Sequence, residues 1–361
     1  MEAPGKSFAA RVTIVLIMLL AIGYLIYIGS SIIIPFALSA LIAILLMPIC
    51  VFLEKRRVPK MISSFIAVAV ATIFIGGILY FLSAQIASFL NDSEAIEKGL
   101  NQHLLNLQKW IRTTFGLSFK EQTEMINKMQ SVGQAGLGST MSSLSDMLFT
   151  LSLLPICIFL FLFYREMLKR FIIDVFSNTP KAKVAEVIRE SRGVIQNYMQ
   201  GLIIEMIIVA IINAVGFLIL GIKYPIFLAV FAAILNLLPY VGMLIASIFC
   251  ALITLTTSPD IKEAILVVVV LIIVQFFDNN IIMPKVVGSK VKLNALLTIV
   301  AVLVGGALAG VAGMFLSIPG LAILKIIFDR VEELKPWGML FGDETDTKGS
   351  RKSKPKKVAT N

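Results

Sequence analysis

Charged residues are scarce in this sequence. Of its 361 residues, 15% are charged and 58% are hydrophobic, and the mean hydropathy is +0.92. Soluble globular domains contain about 25% charged and about 45–50% apolar residues, so the composition excludes an ordinary soluble enzyme or binding domain. The formal net charge of +10 could indicate a nucleic-acid partner. However, the basic residues cluster at loop ends between apolar runs, as in membrane proteins, and we expect no nucleic-acid binding.

Residue types that carry catalysis or bind metals are also rare. The chain has one histidine and three cysteines, and each cysteine lies alone in an apolar run. This arrangement lacks the spacing of a zinc site or a disulfide framework. The sequence contains no phosphate-binding loop, no HExxH motif and no G-x-S-x-G motif. We therefore expect no enzyme activity, no cofactor and no metal, with an intramembrane enzyme that uses acidic residues as the alternative.

Long apolar runs dominate the chain. A helix that crosses a bilayer needs about 20 apolar residues, and eight runs offer such a stretch. Two of them carry one acid each, Glu205 and Asp278, and the others carry no charge. The runs are 12–29, 31–53, 61–82, 147–164, 201–222, 224–257, 264–284 and 293–324. Because unpaired backbone groups are costly in hydrocarbon, all of them should be helical, which predicts an all-α polytopic membrane protein.

The positions of lysine and arginine predict the topology. Basic residues concentrate in 54–60, in 165–192 and after 345, which favours a cytoplasmic location for these segments and for both termini. In 84–145, apolar residues at three- and four-residue spacing predict amphipathic helices outside the cytoplasm. The predicted regions are three transmembrane helices in 1–83, extracytoplasmic amphipathic helices in 84–145, a fourth transmembrane helix and a basic cytoplasmic segment in 146–198, a transport core in 199–335 and a basic disordered cytoplasmic tail in 336–361.

Two apolar runs are too long for one straight crossing. As single helices, 224–257 and 293–324 would each be about 50 Å long, whereas the hydrocarbon core is about 30 Å thick. Both contain helix-breaking residues near the middle, so we predict that each folds into a re-entrant hairpin. Straight helices are the alternative. The predicted hairpin tips contain Pro239, Gly242, Gly305, Gly306 and Gly310.

The two hairpins predict an inverted repeat in the second half of the chain. Each hairpin follows an apolar helix, 201–222 for the first hairpin and 264–284 for the second, and the two helix–hairpin pairs have opposite orientations. This arrangement also places Lys285, Lys290 and Lys292 in the cytoplasm. Broken helices in inverted repeats form the substrate and ion sites of many secondary transporters. The architecture therefore favours transport.

Two acids within the membrane runs are the leading binding candidates. An ionisable group at membrane depth costs about 2.5–3.5 kcal/mol on insertion scales, so Glu205 and Asp278 need partners or water. Each lies about 10 Å from the predicted cytoplasmic end of its helix, which would let them share a proton or a cation. The alternative role for the two acids is an ion pair with Lys285 or Arg192 at the membrane surface. Amides suited to a small solute or a cation, or to interhelical hydrogen bonds, are Asn213, Asn236, Gln275, Asn279 and Asn280.

Three segments of the second half resemble the autoinducer-2 exporter family of bacterial membrane proteins. They are LNLLPYVGMLIAS (Leu235–Ser247), FDNNIIMPKVVGSKVKLNAL (Phe277–Leu296) and VGGALAGVAGMFLSIPGLAILK (Val304–Lys325). The resemblance implies a homo-oligomeric transporter of the bacterial inner membrane, with a pentamer as one candidate state. Its members export autoinducer-2 or exchange sodium for protons.

From these observations we expect a secondary transporter that exports a small polar solute, such as autoinducer-2 or a related metabolite. A proton or sodium gradient would drive it, and membrane lipid would surround it. A sodium/proton antiporter and a passive channel or pore are alternatives. A scaffold that binds an envelope partner through residues 84–145 is a further one.

Overall fold

A computed structural model describes residues 8–92, 140–176, 179–239, 241–287 and 293–342, with five helical residues between 105 and 113. Within these ranges every regular element is helical. Most of the segment 84–145 lies outside the described residues, so its amphipathic helices stay a prediction. The same holds for Lys290, Lys292 and the chain after residue 342.

Helices form in all eight apolar runs. They are α1 (Phe8–Ile28), α2 (Ser30–Lys55), α3 (Lys60–Asn91), α4 (Thr140–Val175), α5 (Lys181–Ile219), α6 (Pro225–Asn236), α7 (Val241–Thr257), α8 (Ile261–Phe277), α9 (Met283–Val286), α10 (Ala295–Arg330) and α11 (Lys335–Phe341). By length and composition, five segments could cross a membrane: α2, α3, α5, α10 and the continuous stretch Ile261–Val286. The described chain is thus an all-helical membrane protein.

Three helices extend furthest beyond the apolar runs that predicted them. α3 continues to Asn91, α4 covers Thr140–Val175, and α5 already begins at Lys181. No proline interrupts these extensions, and without one the helical hydrogen bonds can continue past the apolar run. The predicted boundaries at residues 83, 146 and 199 therefore do not coincide with the ends of helices, and most of the basic segment 165–192 is helical.

The run 224–257 is broken at the position that the sequence predicts. Pro239 lies between the end of α6 at Asn236 and the start of α7 at Val241, and it has no backbone N–H with which a helix could continue. The two arms then run back along one another. Cys250 Sγ lies 3.8 Å from the carbonyl oxygen of Leu228, and a Cβ added at Gly242 would lie 1.8 Å from the carbonyl oxygen of Leu235. α6 and α7 are therefore an antiparallel hairpin, and not one straight helix.

The chain also reverses its direction within the run 293–324, although the helix α10 is continuous over most of this run. Gly310 has φ 59° and ψ −147°, a conformation that is essentially restricted to glycine. On either side of it, Ser317 Oγ donates a hydrogen bond of 2.8 Å to the carbonyl oxygen of Ala301. A Cβ added at Gly305 would lie 2.5 Å from the carbonyl oxygen of Gly313. These contacts require two antiparallel arms that meet at Gly310.

The predicted tip residues have two different positions. Pro239 and Gly310 lie where the chain reverses, while Gly305 and Gly306 lie one turn earlier, inside an arm. A Cβ added at Gly306 would lie 2.6 Å from Met314 Cε on the opposite arm. Gly305 and Gly306 therefore allow close packing of the two arms.

The chain divides into two compact units. The first contains Met1–Met47, Ile156–Gln196 and Val291–Asn361, and the second contains Pro48–Pro155 and Asn197–Lys290. The hairpin α6–α7 belongs to the second unit and the hairpin in α10 to the first. The predicted core 199–335 is thus distributed over both units, and the inverted relation between its hairpins stays a prediction.

The C-terminal segment corrects one predicted boundary. The disordered tail was predicted from residue 336, but α11 forms there and packs on α10. The ring of Phe341 contacts that of Phe328 edge to face, with centroids 5.2 Å apart, and its carbonyl oxygen accepts a 2.9 Å hydrogen bond from the backbone N–H of Asn294. The basic residues after 345 predict disorder, but the apolar residues before them form a helix. The prediction of a disordered tail is therefore wrong for 336–342.

Candidate functional site

One face of α5 carries buried polar side chains. Glu205 and Asn213 are eight residues apart, which places them on the same side of the helix two turns from each other. Glu205 is 5% exposed and Asn213 is 1% exposed. Tyr198, seven residues before Glu205, is 6% exposed and lies within electrostatic range of its carboxyl group. The sequence interpretation overlooked Tyr198, although its spacing from Glu205 was a signal.

Asp278 begins a π-helical turn that follows α8. The turn covers Asp278–Ile282, and the backbone N–H of Met283 bonds to the carbonyl oxygen of Asp278, five residues earlier. Pro284 offers no N–H to the carbonyl of Asn280, which favours such an irregular turn at this position. π-helical turns occur frequently at functional sites. The Asp278 side chain is 2% exposed, so the turn presents a carboxyl group to the protein interior.

Close packing of α5 against α8 and α9 brings the two acids together. A Cβ added at Gly201 would lie 3.0 Å from the carbonyl oxygen of Val286, and one added at Gly216 would lie 2.7 Å from Val270 Cγ1. Glycine at both positions thus permits the antiparallel approach of these helices. Between these two contacts the carboxyl groups of Glu205 and Asp278 lie within hydrogen-bonding range of each other. The predicted proximity of the two acids is therefore present in the structure.

Asn236 joins the acids from the hairpin α6–α7. Its Nδ2 donates a hydrogen bond of 2.9 Å to Asp278 Oδ2. Asn236 is also the last residue of α6, where carbonyl groups lack partners within the helix and the helix dipole is negative. The end of this half-helix therefore adds negative potential beside two carboxyl groups, an arrangement that attracts a proton or a cation.

Several oxygens in this cluster have no partner. Glu205 Oε2, Asp278 Oδ1 and Asn213 Oδ1 are buried and form no hydrogen bond with any described residue. Buried polar atoms are normally paired. A cavity of about 10 Å³ is lined by Asn213, Asn236 and Gln275, among others, and Asn236 links it to Asp278. Such a volume holds about one water molecule, so the cluster is suited to a small species that binds oxygen.

Two predicted binding residues do not join this cluster. Asn279 and Asn280 are exposed, and their side chains bond within their own helix. Gln275 Nε2 donates to Asn279 Oδ1 at 3.0 Å, and Asn280 Nδ2 donates to the carbonyl oxygen of Phe276 at 2.7 Å. Of the seven predicted residues, the structure thus brings five together: Glu205, Asn213, Asn236, Gln275 and Asp278.

The alternative role for the acids was an ion pair at the membrane surface. Among the ion pairs of the described residues, none contains Glu205 or Asp278. Pairing with Lys285 or Arg192 is therefore absent from the described structure. The polar contacts of both acids are instead with each other and with Asn236.

A separate charged cluster fixes the turn between α5 and α6. Asp92 follows α3 and accepts a hydrogen bond of 2.5 Å from Lys223 Nζ and another from the hydroxyl of Tyr224. The hydrogen bond from Lys223, followed by that from Tyr224, lowers the pKa of Asp92 below its usual value. Because of the same contact with Asp92, the pKa of Lys223 is raised. These residues lie outside the helices that could cross a membrane.

Curated relatives of this chain match most of its length. "Putative transport protein YrrI" of Bacillus subtilis (strain 168) is 25% identical, covering 82% of this chain and 86% of the relative. A Haemophilus influenzae "Putative transport protein" is 27% identical over 89% of this chain and 92% of its own length. "Putative transport protein YhhT" of Escherichia coli (strain K12) is 24% identical over 88% and 90%.

A family model supports the same conclusion. The model described as AI-2E family transporter matches residues 16–333, which include both hairpins and every residue of the polar cluster. The resemblance predicted from the three second-half segments is thereby confirmed. The chain belongs to the AI-2E family of membrane transporters.

Proposed function

We propose that this protein is a secondary transporter that exports a small polar solute, such as autoinducer-2 or a related metabolite. A proton or sodium gradient drives it, and the cluster of Glu205, Asp278 and Asn236 binds the coupling ion. The observation that carries the proposal is the pair of adjacent, buried carboxyl groups with unpaired oxygens. Many secondary transporters bind their coupling ion in a cavity beside the ends of broken helices.

Electrostatics explains why this pair needs an ion. At an effective dielectric constant of 20, two unit charges about 4 Å apart interact by roughly 4 kcal/mol. Two ionised carboxylates in contact would repel by an energy of this order, and no described basic residue compensates them. One proton or one monovalent cation between Glu205 and Asp278 removes the repulsion. Alternating access to the pair from the two sides of the membrane would couple its occupancy to transport.

A second candidate function is sodium/proton exchange. The cavity beside Asn213 and Asn236 has room for about one water molecule, at about 10 Å³. A partly dehydrated cation fits this space, whereas a solute of several heavy atoms does not. Carboxylate and amide oxygens are also ligands that hard cations prefer. In this case the ion that occupies the pair is itself the transported substrate.

The proposal also includes the location and assembly of the chain. The protein lies in the bacterial inner membrane with both termini in the cytoplasm, as the basic residues of 54–60 and 165–192 favour. It acts as a homo-oligomer, as the family resemblance implies. Single cysteines are introduced at residue 57 and in the tail, and their labelling is compared between intact cells and inverted vesicles. This comparison tests the orientation of the chain in the membrane.

Flux measurements in proteoliposomes test the transport proposal. Purified protein is reconstituted, a pH or sodium gradient is imposed, and internal pH, sodium uptake and labelled autoinducer-2 are followed. Hydrogen bonds to charged groups contribute about 1.5–3 kcal/mol, so Asp278→Asn and Glu205→Gln should each reduce gradient-driven flux roughly tenfold or more. Glu263→Gln, a change of the same charge near the start of α8, should leave the flux unchanged.

The readouts separate the candidate functions. Autoinducer-2 flux that depends on the gradient supports the exporter, and cation exchange without solute flux supports the antiporter. An ionic current that increases linearly with voltage, and that needs no pH or sodium gradient, would indicate a channel. Full gradient-driven flux in both Asp278→Asn and Glu205→Gln would contradict the assignment of the ion site to this pair.

A further inference from the structure

A short helix closes the open end of the hairpin in α10, opposite its tip. α11 (Lys335–Phe341) follows α10 after a 3₁₀ turn (Glu332–Leu334). The carbonyl oxygen of Phe341 accepts a hydrogen bond from the backbone N–H of Asn294, the residue that precedes the first arm. The ring of Phe341 contacts that of Phe328, near the end of the second arm. α11 therefore extends from the end of one arm to the beginning of the other.

The two faces of α11 have different surroundings. Gly338 is buried against α10, where an added Cβ would lie 2.3 Å from Asp329 Oδ1. At 3.6 residues per turn, four apolar and exposed residues occupy the remaining circumference, centred on the side opposite Gly338. They are Pro336, Trp337, Met339 and Leu340, and the last three are more than half exposed. We call these four residues the apolar face of α11.

The contacts of α11 place this face at the edge of the apolar run. The uncharged run 293–324 ends before Lys325. Phe328, which contacts α11, lies four residues beyond the run, or about 6 Å at 1.5 Å per residue. At its other end α11 bonds to Asn294, which belongs to the same run. Since the headgroup layer on each side of the hydrocarbon core is about 5–8 Å thick, α11 lies at the level of this layer.

The length and the flanks of α11 suit a helix that lies flat in the headgroup layer. Its seven residues extend over about 10 Å, whereas a crossing needs about 20 residues. Acidic residues flank it, with Glu332 before the helix and Asp343 and Glu344 after it. Because ionised carboxylates stay in water, both ends of the helix remain at the surface. Tryptophan is enriched at membrane–water interfaces, where its ring contacts lipid and its N–H reaches water.

We propose that the apolar face of α11 binds the phospholipid layer as an in-plane anchor, at the boundary between headgroups and acyl chains. Amphipathic helices of this kind bury their apolar face about 5–10 Å into that boundary. The contact holds the open end of the hairpin at the membrane surface and thereby sets the depth of Gly310 at its tip. The C-terminal segment 343–361 does not suit as the occupant, because its hydrophobic residues are two, Val358 and Ala359.

Tryptophan fluorescence of the full chain in a bilayer tests this proposal. The chain has two tryptophans, Trp110 and Trp337, so Trp110→Phe leaves Trp337 as the single fluorophore of this kind. The variant is reconstituted in phosphatidylcholine nanodiscs whose acyl chains carry bromine either near the headgroup or near the chain end. We expect the first lipid to quench Trp337 at least about twofold more strongly than the second. Equal or stronger quenching by the second lipid would refute the in-plane position.

Iodide, a quencher that stays in water, separates the other occupants of the apolar face. Quenching of Trp337 by iodide as strong as in the unfolded chain, without quenching by either brominated lipid, would mean that water covers the face. A Trp337 that neither iodide nor brominated lipid quenches would lie against protein, as in an interface between two copies of the chain. Either result would overturn the proposal.

A matched pair of variants in the Trp110→Phe background locates the contact. Met339→Gln with Leu340→Gln makes the face polar and keeps every charge, so quenching by bromine near the headgroup should fall at least about twofold. Met61→Gln with Ile62→Gln makes a similar change at two exposed residues of α3, and quenching of Trp337 should stay the same. Unchanged quenching in the first variant, at an unchanged elution volume, or an equal loss in both variants would overturn the proposal.

Discussion

Asn236→Ala removes the one described side-chain hydrogen bond from the hairpin α6–α7 to Asp278. The bond is 2.9 Å long, and its acceptor is a carboxyl group that is 2% exposed. A hydrogen bond to a charged group contributes about 1.5–3 kcal/mol, and each 1.4 kcal/mol corresponds to about a factor of ten in affinity. The variant should therefore weaken apparent affinity for the coupling ion between about 10-fold and 150-fold. The maximal rate should change much less, because both carboxyl groups remain.

The assay is the initial rate of gradient-driven flux in proteoliposomes at increasing concentration of the coupling ion. Asn280→Ala is the matched control, since the same amide is deleted from an exposed side chain that bonds to its own helix through Phe276. The sequence predicts binding by both asparagines, whereas the structure places one in the cluster. Equal loss of affinity in the two variants would refute the assignment of the ion site to the Asn236 contact.

Two further predictions concern the hairpin tip and the turn cluster. Gly310 has a φ of 59°, so Gly310→Ala should destabilise the protein by about 1–3 kcal/mol and lower its unfolding temperature. Gly320→Ala, at a position with open space and no positive φ, should not lower it. Because the Lys223 hydrogen bond lowers the pKa of Asp92, their contact stabilises the protein above the usual pKa of an aspartate and is lost as the pH falls through the lowered pKa. Asp92→Asn should therefore lower the unfolding temperature at pH 7, and the difference from wild type should vanish in acid; a difference that persisted in acid would contradict this.

The hairpins could be predicted because length and helix breakers are both visible in the sequence. A run too long for the membrane, with Pro239 or Gly310 at its middle, has few other ways to fold. Proximity of Glu205 and Asp278 was also predictable, since each acid lies at a similar distance from the end of its helix. Each is the only charge in its apolar run, which made both acids conspicuous.

The direction of each amide could not be predicted. Membrane helices are apolar all round, so hydrophobic periodicity does not identify the face that is turned inward. Asn279 and Asn280 directly follow Asp278, and only the π-helical turn and the packing of α5 decide that Asp278 points inward while the amides are exposed. Tyr198 lies seven residues before Glu205, outside the apolar run 201–222 in which the binding residues were sought.

The proximity of Arg165 and Arg192 was also hidden from the sequence. The basic residues of 165–192 predict a cytoplasmic location, which accounts for their number but not for their positions. Arg165, on α4, and Arg192, on α5, lie close enough for their positive charges to repel. A pairing of two helices across a turn near residue 180 is a tertiary contact that local patterns do not encode.

Infrared difference spectroscopy of the carboxyl groups tests the central claim most directly. The claim is that Glu205 and Asp278 hold one proton or one cation between them. Titrating the detergent-purified protein with base, and separately with sodium, should remove the absorption of a protonated carboxyl group. In the double variant Glu205→Gln with Asp278→Asn this change should be absent. Identical difference spectra for the wild type and the double variant in both titrations would contradict the account.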